Sequence, residues 1–210
     1  MRRSKWLPLL FICVAGAAGL SAALVWRQTR REASPDLVTG VYLAPRRALP
    51  EFSLIDVNGR TFTRADLLGH WSMLFFGYTN CPDLCPTTLT TLAAMDKRMR
   101  AARDPLRPQV VFVSVDARRD TPAQLARYIP YFDPRFIGLT ASAQKTIEAL
   151  ARQLGVAVVM HAEANGVYSV DHSGAIFVAD PHADLAAVLT GPFTAANLQS
   201  DFRRIAAQGS

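Results

Sequence analysis

The sequence predicts an α/β domain built around a central mixed sheet of about five strands that is flanked by helices. Three short apolar runs, at residues 71–76, 110–115 and 175–178, are typical of strands buried on both faces of a sheet. Segments of helical length lie between these runs, and this alternation indicates a partly parallel sheet. The chain has 210 residues, 50% hydrophobic and 19% charged, which suits one globular domain and excludes a disordered or collagenous chain.

Two turn signals predict β-hairpins, one before the first apolar run and one before the last. Asn58-Gly59 and Asn165-Gly166 consist of residue types that tolerate the positive φ angles of a tight hairpin turn. The sequence on either side of each pair has the residue types and pattern of a strand. The predicted strand pairs are residues 52–57 with 60–63, and residues 156–160 with 167–170.

Four helices are predicted from residues that favour helix starts. Proline fits the first position of a helix, and Ser or Thr hydroxyls accept hydrogen bonds from the unpaired N–H groups there. Pro86, Thr121, Ser142 and Thr194 provide these signals, and Gly155 provides an end signal for the third helix. The helices are predicted at residues 86–102, 121–132, 142–154 and 194–207.

An uncharged apolar run at residues 6–26 predicts a transmembrane anchor, preceded by a short tail of residues 1–5. As a helix this run would rise about 31 Å, close to the roughly 30 Å thickness of the hydrocarbon core. Trp6 and Trp26 at its ends suit the membrane interface. The alternative is a cleaved secretory signal, for which residues 21–23 offer small side chains.

The positive charge of the chain lies near its N-terminus. Residues 1–35 hold six basic side chains and one acidic side chain, so residues 36–210 hold 17 basic and 16 acidic side chains. A nearly neutral domain is not expected to bind the phosphate backbone of a nucleic acid. Residues 27–48 contain Pro and Gly with little periodicity, which predicts a linker before a domain at residues 49–210.

Two cysteines are placed where an α/β sheet forms its binding sites. Cys81 and Cys85 follow the first apolar run, in the turn that leads to the first predicted helix. Pro82 and Pro86 disfavour helical geometry at the cysteines before them, and a helix N-terminus favours a thiolate over a thiol. Such a pair can cycle between dithiol and disulfide, or bind a soft metal such as Cu(I) or zinc. A structural disulfide or two buried thiols is the simpler alternative, although so short a bridge removes little chain entropy.

A metal site needs a third ligand, and His172 is the best placed of the four histidines. It lies just before the apolar run 175–178, at the entrance of a predicted central strand, and imidazole is a common metal ligand. Asp171 is adjacent, but neighbouring side chains on a strand point to opposite faces, so it is not expected to support His172. The remaining histidines are expected on the surface: His70, His161 and His182.

Several of these segments resemble the Sco/SenC family of copper chaperones. The similarity rests on four segments in the family's order, and it covers about residues 49–207. The segments are residues 76–86 (FGYTNCPDLCP), 115–122 (VDARRDTP), 136–140 (FIGLT) and 171–173 (DHS). Ala117 departs from the family, which commonly has proline at this position. The resemblance implies a thioredoxin-like fold preceded by one N-terminal transmembrane helix.

The resemblance also implies a function. Cys81, Cys85 and His172 would bind copper, which would be delivered to the dinuclear copper site of cytochrome c oxidase subunit II. The protein would be a single-pass protein of the bacterial inner membrane, with its soluble domain in the periplasm. Other copper chaperones or thioredoxin-like reductases are further expected partners. Thioredoxins have a similar topology, but His172 would replace their late cis-proline, and this replacement favours metal binding over disulfide exchange.

Three functions are compatible with these residues. The first is a metallochaperone that binds Cu(I) through three donors, since Cu(II) would require further N or O donors. The second is a thiol–disulfide oxidoreductase that reduces the copper-binding cysteines of the target, and it would not need His172. The third is a copper or redox sensor. In an oxidising compartment the metal-free protein is expected to form a Cys81–Cys85 disulfide, because both thiols share one short loop.

Overall fold

The computed structural model describes residues 34–162 and 168–209, which form one eight-stranded sheet, a separate two-stranded sheet and four α-helices. The strands are, in chain order, β1 (Gly40–Ala48), β2 (Ser53–Asp56), β3 (Thr61–Thr63), β4 (Ser72–Gly77), β5 (Gln109–Ser114), β6 (Ile137–Thr140), β7 (Val158–Ala162), β8 (Tyr168–His172), β9 (Ile176–Ala179) and β10 (Asp184–Leu189). The α-helices are α1 (Leu84–Ala101), α2 (Pro122–Tyr128), α3 (Gln144–Leu154) and α4 (Ala195–Ala206). Short 3₁₀ helices occupy Arg64–Leu67, Ile129–Tyr131 and Ala207–Gly209.

The large sheet is mixed, with the strand order β1-β10-β9-β4-β5-β6-β2-β3. β4, β5 and β6 run parallel, with Phe75 opposite Phe112 and Val113 opposite Leu139. β9 runs antiparallel along the other side of β4, where Ile176 is opposite Phe75. This arrangement confirms the predicted mixed α/β, thioredoxin-like fold. The described sheet has eight strands, more than the five expected, because β1 and β10 extend one side of it and β6 lies between β5 and β2.

The predicted linker is shorter than expected, because its second part is a strand of the sheet. Residues 27–48 are predicted as a linker, but Gly40–Ala48 forms β1 and pairs antiparallel with β10. The register of this pairing shifts between Tyr42 and Arg47, and none of the strand's residues is fully buried. An irregular, exposed edge strand lacks the regular apolar alternation that identifies strands in a sequence. The folded domain therefore begins before Leu49.

Most of the predicted helix signals are used in the structure. The hydroxyls of Thr121 and Thr194 each accept a hydrogen bond from the main-chain N–H three residues later, at 3.2 and 3.1 Å. Gly155 ends α3 with a φ of 73°, in the left-handed region that favours glycine. The prediction that Ser142 caps the third helix was wrong. Ala143 occupies the capping position of α3 and makes no side-chain cap bond.

The helix that follows the cysteine loop is held against the sheet by an apolar stripe. Leu89, Leu92, Met95 and Met99 recur every three or four residues of α1 and are fully buried. Full burial of one such side chain contributes about 1.5–3 kcal/mol to stability relative to leaving it exposed. The start of α1 is therefore fixed relative to the end of β4.

The late hairpin is confirmed in its strands and forms a sheet of its own. β7 and β8 pair antiparallel with each other, and Val158 lies opposite His172. The predicted turn at Asn165-Gly166 lies outside the described residues. So does the predicted transmembrane anchor at residues 6–26, and across residues 34–162 and 168–209 no helix is both long and apolar enough to cross a membrane.

Candidate metal centre

The cysteine loop connects the end of β4 to the start of α1. β4 ends at Gly77 and α1 begins at Leu84, so Cys85 lies in the first turn of the helix and Cys81 in the loop before it. The helix begins two residues earlier than the position predicted from Pro86. Cys85 is fully buried, Cys81 is partly exposed, and both are free thiols.

The Cys85 sulfur is tightly packed beneath the end of β4. A Cβ atom at Gly77 would lie 2.8 Å from Cys85 Sγ and 2.8 Å from Phe112 Cε2, closer than such atoms approach in real structures. Because glycine has no side chain, this position leaves enough space for the Cys85 sulfur. The main-chain N–H of Cys85 donates to Cys81 Sγ at 3.3 Å. It is one of the N–H groups at the helix start that have no acceptor within the helix.

His172 is the last residue of β8, and its imidazole reaches the cysteine loop. Its Nε2 atom lies 3.3 Å from Cys85 Sγ, and its Nδ1 atom lies 3.1 Å from the main-chain oxygen of Ser173. A carbonyl oxygen only accepts hydrogen bonds, so Nδ1 carries a proton and Nε2 is the ring nitrogen that remains for a metal ion. The rings of Phe75 and Tyr78 stand edge-on to the imidazole, with centroids 6.2 and 5.7 Å away. The imidazole is thus held with Nε2 facing the sulfurs.

The structure brings together the three residues that the sequence singled out as ligands. The two sulfurs of Cys81 and Cys85 and a ring nitrogen of His172 lie within 4.8 Å of one another. Bonds from a metal ion to sulfur and to nitrogen are about 2.3 and 2.0 Å long, so ligands of one ion lie roughly 3.5–4.5 Å apart. The three donors therefore fit a single soft or borderline metal ion after small side-chain movements.

The pKa values of the two thiols are shifted in opposite directions. A hydrogen bond from the Cys85 thiol lowers the pKa of Cys81 to about 5, against the effect of its partial burial. The main-chain N–H groups of Cys85 and Asp83 and the imidazole of His172 act in the same direction. The hydrogen bond to Cys81 and burial both raise the pKa of Cys85. At neutral pH the pair therefore holds one thiolate, on the more exposed sulfur, and one buried thiol.

A buried carboxylate that was not predicted as a site residue holds the start of the cysteine loop. Asp120 accepts hydrogen bonds from the main-chain N–H of Thr79 at 2.9 Å and from its hydroxyl at 2.6 Å. The hydroxyl of Ser114 donates to the same carboxylate at 2.6 Å. Asp120 is part of the quoted segment 115–122, but only the fold places it beside the loop that carries Cys81.

The other residues considered as ligands lie away from the cluster. The expected surface positions of His70, His161 and His182 are confirmed, because all three side chains are exposed. Asp171 lies 2.8 Å from His161, and its side chain is 77% exposed. It therefore pairs with His161, which lies diagonally across the hairpin, and not with the neighbouring His172.

Comparison with known proteins relates this chain to SCO proteins and to a copper-binding protein. The SCO1/SenC family model matches residues 42–207. A protein of Stutzerimonas stutzeri named for copper binding is 39% identical over 161 residues, which are 76% of this chain and 78% of that protein. The mouse mitochondrial SCO2 homolog is 37% identical over 131 residues, which are 62% of this chain and 51% of that protein. The chain therefore spans about half the length of the mouse relative.

Two solved structures with bound copper share the fold. Copper-bound ScoI of Arabidopsis thaliana has a TM-score of 0.70 and 32% identity, and the match covers 75% of this chain and 98% of that one. Copper-bound ScoI of Bradyrhizobium japonicum has a TM-score of 0.67 and 30% identity, with coverage of 75% and 99%. The matched part of this chain thus corresponds to nearly the whole of each solved chain.

Proposed function

Since this chain belongs to the SCO1/SenC family, we propose that it is a copper metallochaperone that holds one copper ion between Cys81, Cys85 and His172. The observation that carries the proposal is the convergence of two sulfurs and one imidazole nitrogen within 4.8 Å of one another. Copper as the metal is supported by the two copper-bound ScoI structures. Two thiolates and one imidazole suit three-coordinate Cu(I), whereas Cu(II) would require further N or O donors.

The pKa values of the two thiols determine which of them must lose a proton when copper binds. Cys81 is already a thiolate at neutral pH, whereas Cys85 must lose its proton before its sulfur can bind the ion. His172 offers Nε2 to the ion, because its Nδ1–H donates to Ser173. Loading of Cu(I) therefore requires release of the proton from Cys85.

We further propose that the copper is passed to the dinuclear copper site of cytochrome c oxidase subunit II by ligand exchange. Cys81 and His172 are partly exposed, while Cys85 is fully buried. An acceptor can therefore replace the two outer ligands first, while Cys85 keeps its bond to the ion until the end. Exchange of ligands moves the ion without changing its oxidation state. Other copper chaperones are proposed as its source.

The apolar run at residues 6–26 supports the proposal that the chain is anchored in the bacterial inner membrane. Its length matches the hydrocarbon core of a bilayer, and no charged residue interrupts it. We place the domain in the periplasm, because it must meet an oxidase domain outside the cytoplasm.

A second candidate function is favoured by the acidities of the cysteines. A partly exposed thiolate beside a buried thiol is the arrangement of a dithiol reductase. The Cys81 thiolate would attack a disulfide of the target and form a mixed disulfide, and the released target thiolate would take up a proton. Cys85 would then lose its proton and attack Cys81 Sγ. The products are a reduced target dithiol and a Cys81–Cys85 disulfide, which a thioredoxin-like reductase would have to reduce again.

Oxidase assembly in cells separates these two functions. A strain that lacks this protein is complemented with the wild-type chain or with the variants His172→Ala and Cys81→Ser. A chaperone requires all three ligands, so both variants should fail to restore oxidase activity. A reductase requires only the dithiol, so restoration by His172→Ala together with failure of Cys81→Ser would overturn the chaperone function in favour of the reductase. Thiol alkylation of the His172→Ala protein verifies that its dithiol still oxidises and is reduced.

A further inference from the structure

The hairpin that carries His172 is joined to the rest of the domain by few main-chain hydrogen bonds. β7 and β8 pair with each other, and neither pairs with any other strand of the described part of the chain. One hydrogen bond, from Ser173 N to Ala157 O, closes the end of the hairpin at 3.3 Å. The position of the imidazole therefore depends on side-chain contacts between this hairpin and the central sheet.

The strongest of these contacts involve the turn that follows β5. Asp116 is fully buried there and accepts hydrogen bonds from Arg119 Nε and, at 2.7 Å, from the hydroxyl of Tyr168. Arg119 Nη1 donates to the main-chain oxygen of Tyr168 at 3.0 Å. The guanidinium carbon of Arg119 also lies 3.8 Å from the centroid of the Tyr168 ring. Two polar contacts and one stacking contact thus hold Tyr168, the first residue of β8, four residues before His172.

The same guanidinium group reaches toward the other side of the metal centre. Its carbon lies 5.8 Å from the ring centroid of Tyr78, and that ring stands edge-on to the His172 imidazole at 5.7 Å. Arg119 therefore contacts both the hairpin strand that ends at His172 and the ring that limits the movement of the imidazole.

We infer that Arg119, held in place by Asp116, is a positioning residue that sets the location of His172 relative to the two cysteines. This inference rests on the proposed function. A planar guanidinium group is needed, because it donates to the carboxylate and to the carbonyl while it stacks on the Tyr168 ring. A lysine ammonium group cannot make these contacts together.

The chain offers a matched control for this inference in Arg46. Arg46 pairs with the buried carboxylate of Asp180 at 2.6 Å and lies over Trp71 at 5.7 Å. The exposed fractions of the two arginine side chains are similar, 19% for Arg46 and 26% for Arg119, and those of their aspartates are 1% and 0%. Asp180 follows β9, whereas His172 precedes it, so the control pair lies at the opposite end of that strand.

The experiment compares Arg119→Met, Tyr168→Phe and Arg46→Met with the wild type in the full 210-residue chain, purified in detergent. Hydrogen exchange of the β8 main-chain amides is measured in the reduced, metal-free protein. Cu(I) retention is measured by competition with a chromophoric chelator, and the accessibility of Cys81 by its alkylation rate. Tyr168→Phe keeps the stacked ring and removes only its hydroxyl, so it remains informative if Arg119→Met does not fold.

Arg119→Met should increase exchange in β8 and weaken Cu(I) retention by about tenfold, the lower end of the range for groups that orient metal ligands. Tyr168→Phe should show smaller changes in the same direction. Alkylation of Cys81 should keep its wild-type rate in both, and Arg46→Met should match the wild type throughout. The inference is overturned if the wild type holds copper and both Arg119→Met and Tyr168→Phe hold it equally well, or if Arg46→Met loses as much. A wild type that holds no copper would instead overturn the proposed function, and this inference with it.

Discussion

His172 Nε2 lies 3.3 Å from Cys85 Sγ, although the two residues are 87 positions apart in the chain. One donor comes from the hairpin and the other from the first turn of α1, so the contact exists only in the folded domain. Because Nδ1 is occupied by the Ser173 carbonyl, the nitrogen at this contact is the one that can bind a metal ion.

Replacement of His172 by alanine should weaken Cu(I) retention strongly and leave the dithiol able to oxidise. Loss of a group that merely orients a ligand costs about 10–100-fold in metal affinity, so loss of the ligand should cost at least that much. Chelator competition measures the copper, and thiol counting measures the oxidation. His161→Ala is the matched control, because this exposed histidine lies in the same hairpin and should not affect copper. Equal copper retention by both variants would show that His172 is not a copper ligand.

Alkylation of the metal-free, reduced protein should label Cys81 well before Cys85. The pKa of Cys81 is lowered to about 5, so the rate should rise through pH 5 and level off above pH 6, while the raised pKa and burial protect Cys85. In Cys85→Ala the hydrogen bond from the Cys85 thiol is lost, and the midpoint should move to higher pH. Mass spectrometry of the labelled peptides measures both profiles. Simultaneous labelling of the two wild-type cysteines near pH 8 would contradict the opposite pKa shifts of the two thiols.

Gly77→Ala should destabilise the domain, because its methyl group would lie 2.8 Å from Cys85 Sγ and 2.8 Å from Phe112. Overpacking of this kind typically costs about 1–3 kcal/mol of unfolding free energy. Denaturant unfolding of the reduced protein measures the change. Gly174→Ala is the control, since its methyl group would meet the Leu84 side chain at 3.1 Å, and that side chain is partly exposed and can move. Equal stability of Gly77→Ala and the wild type would show that the sulfur is not confined as described.

The full-length chain should stay in the membrane fraction after washing at high pH or high salt. The run at residues 6–26 carries no charge, and each charged residue at the bilayer centre would cost about 2.5–3.5 kcal/mol. Protease added to spheroplasts should digest the domain, if it faces the periplasm. Protection from the protease would contradict that orientation. A mature N-terminus near Leu24 would show that the segment is a cleaved signal.

The three donors of the metal centre were predictable because each has a local sequence signal. Cys81 and Cys85 follow a buried apolar run and His172 precedes another, and because β9 runs antiparallel to β4 these positions lie at the same end of the two strands. The strand Gly40–Ala48 was not predictable from periodicity, since its pairing with β10 is irregular and none of its residues is fully buried.

Properties that depend on contacts between distant segments were also beyond the sequence. The opposite pKa shifts of the two cysteines follow from the hydrogen bond between their sulfurs and from the burial of Cys85, which only the packed loop determines. The contact of Arg119 with Tyr168 joins residues 49 positions apart. Neither residue type nor spacing identifies such a pair, because arginine and tyrosine are common at exposed positions.

The central claim is tested most directly by the copper stoichiometry of the reduced 210-residue chain. The protein is titrated with Cu(I) in the presence of a competing chelator, alongside Cys81→Ser and Cys85→Ser. The three converging donors predict one tightly held copper ion per wild-type chain and none in either serine variant, because a single site needs both sulfurs. A wild-type chain that holds no copper, or a serine variant that still holds one ion tightly, would contradict the assignment of this site.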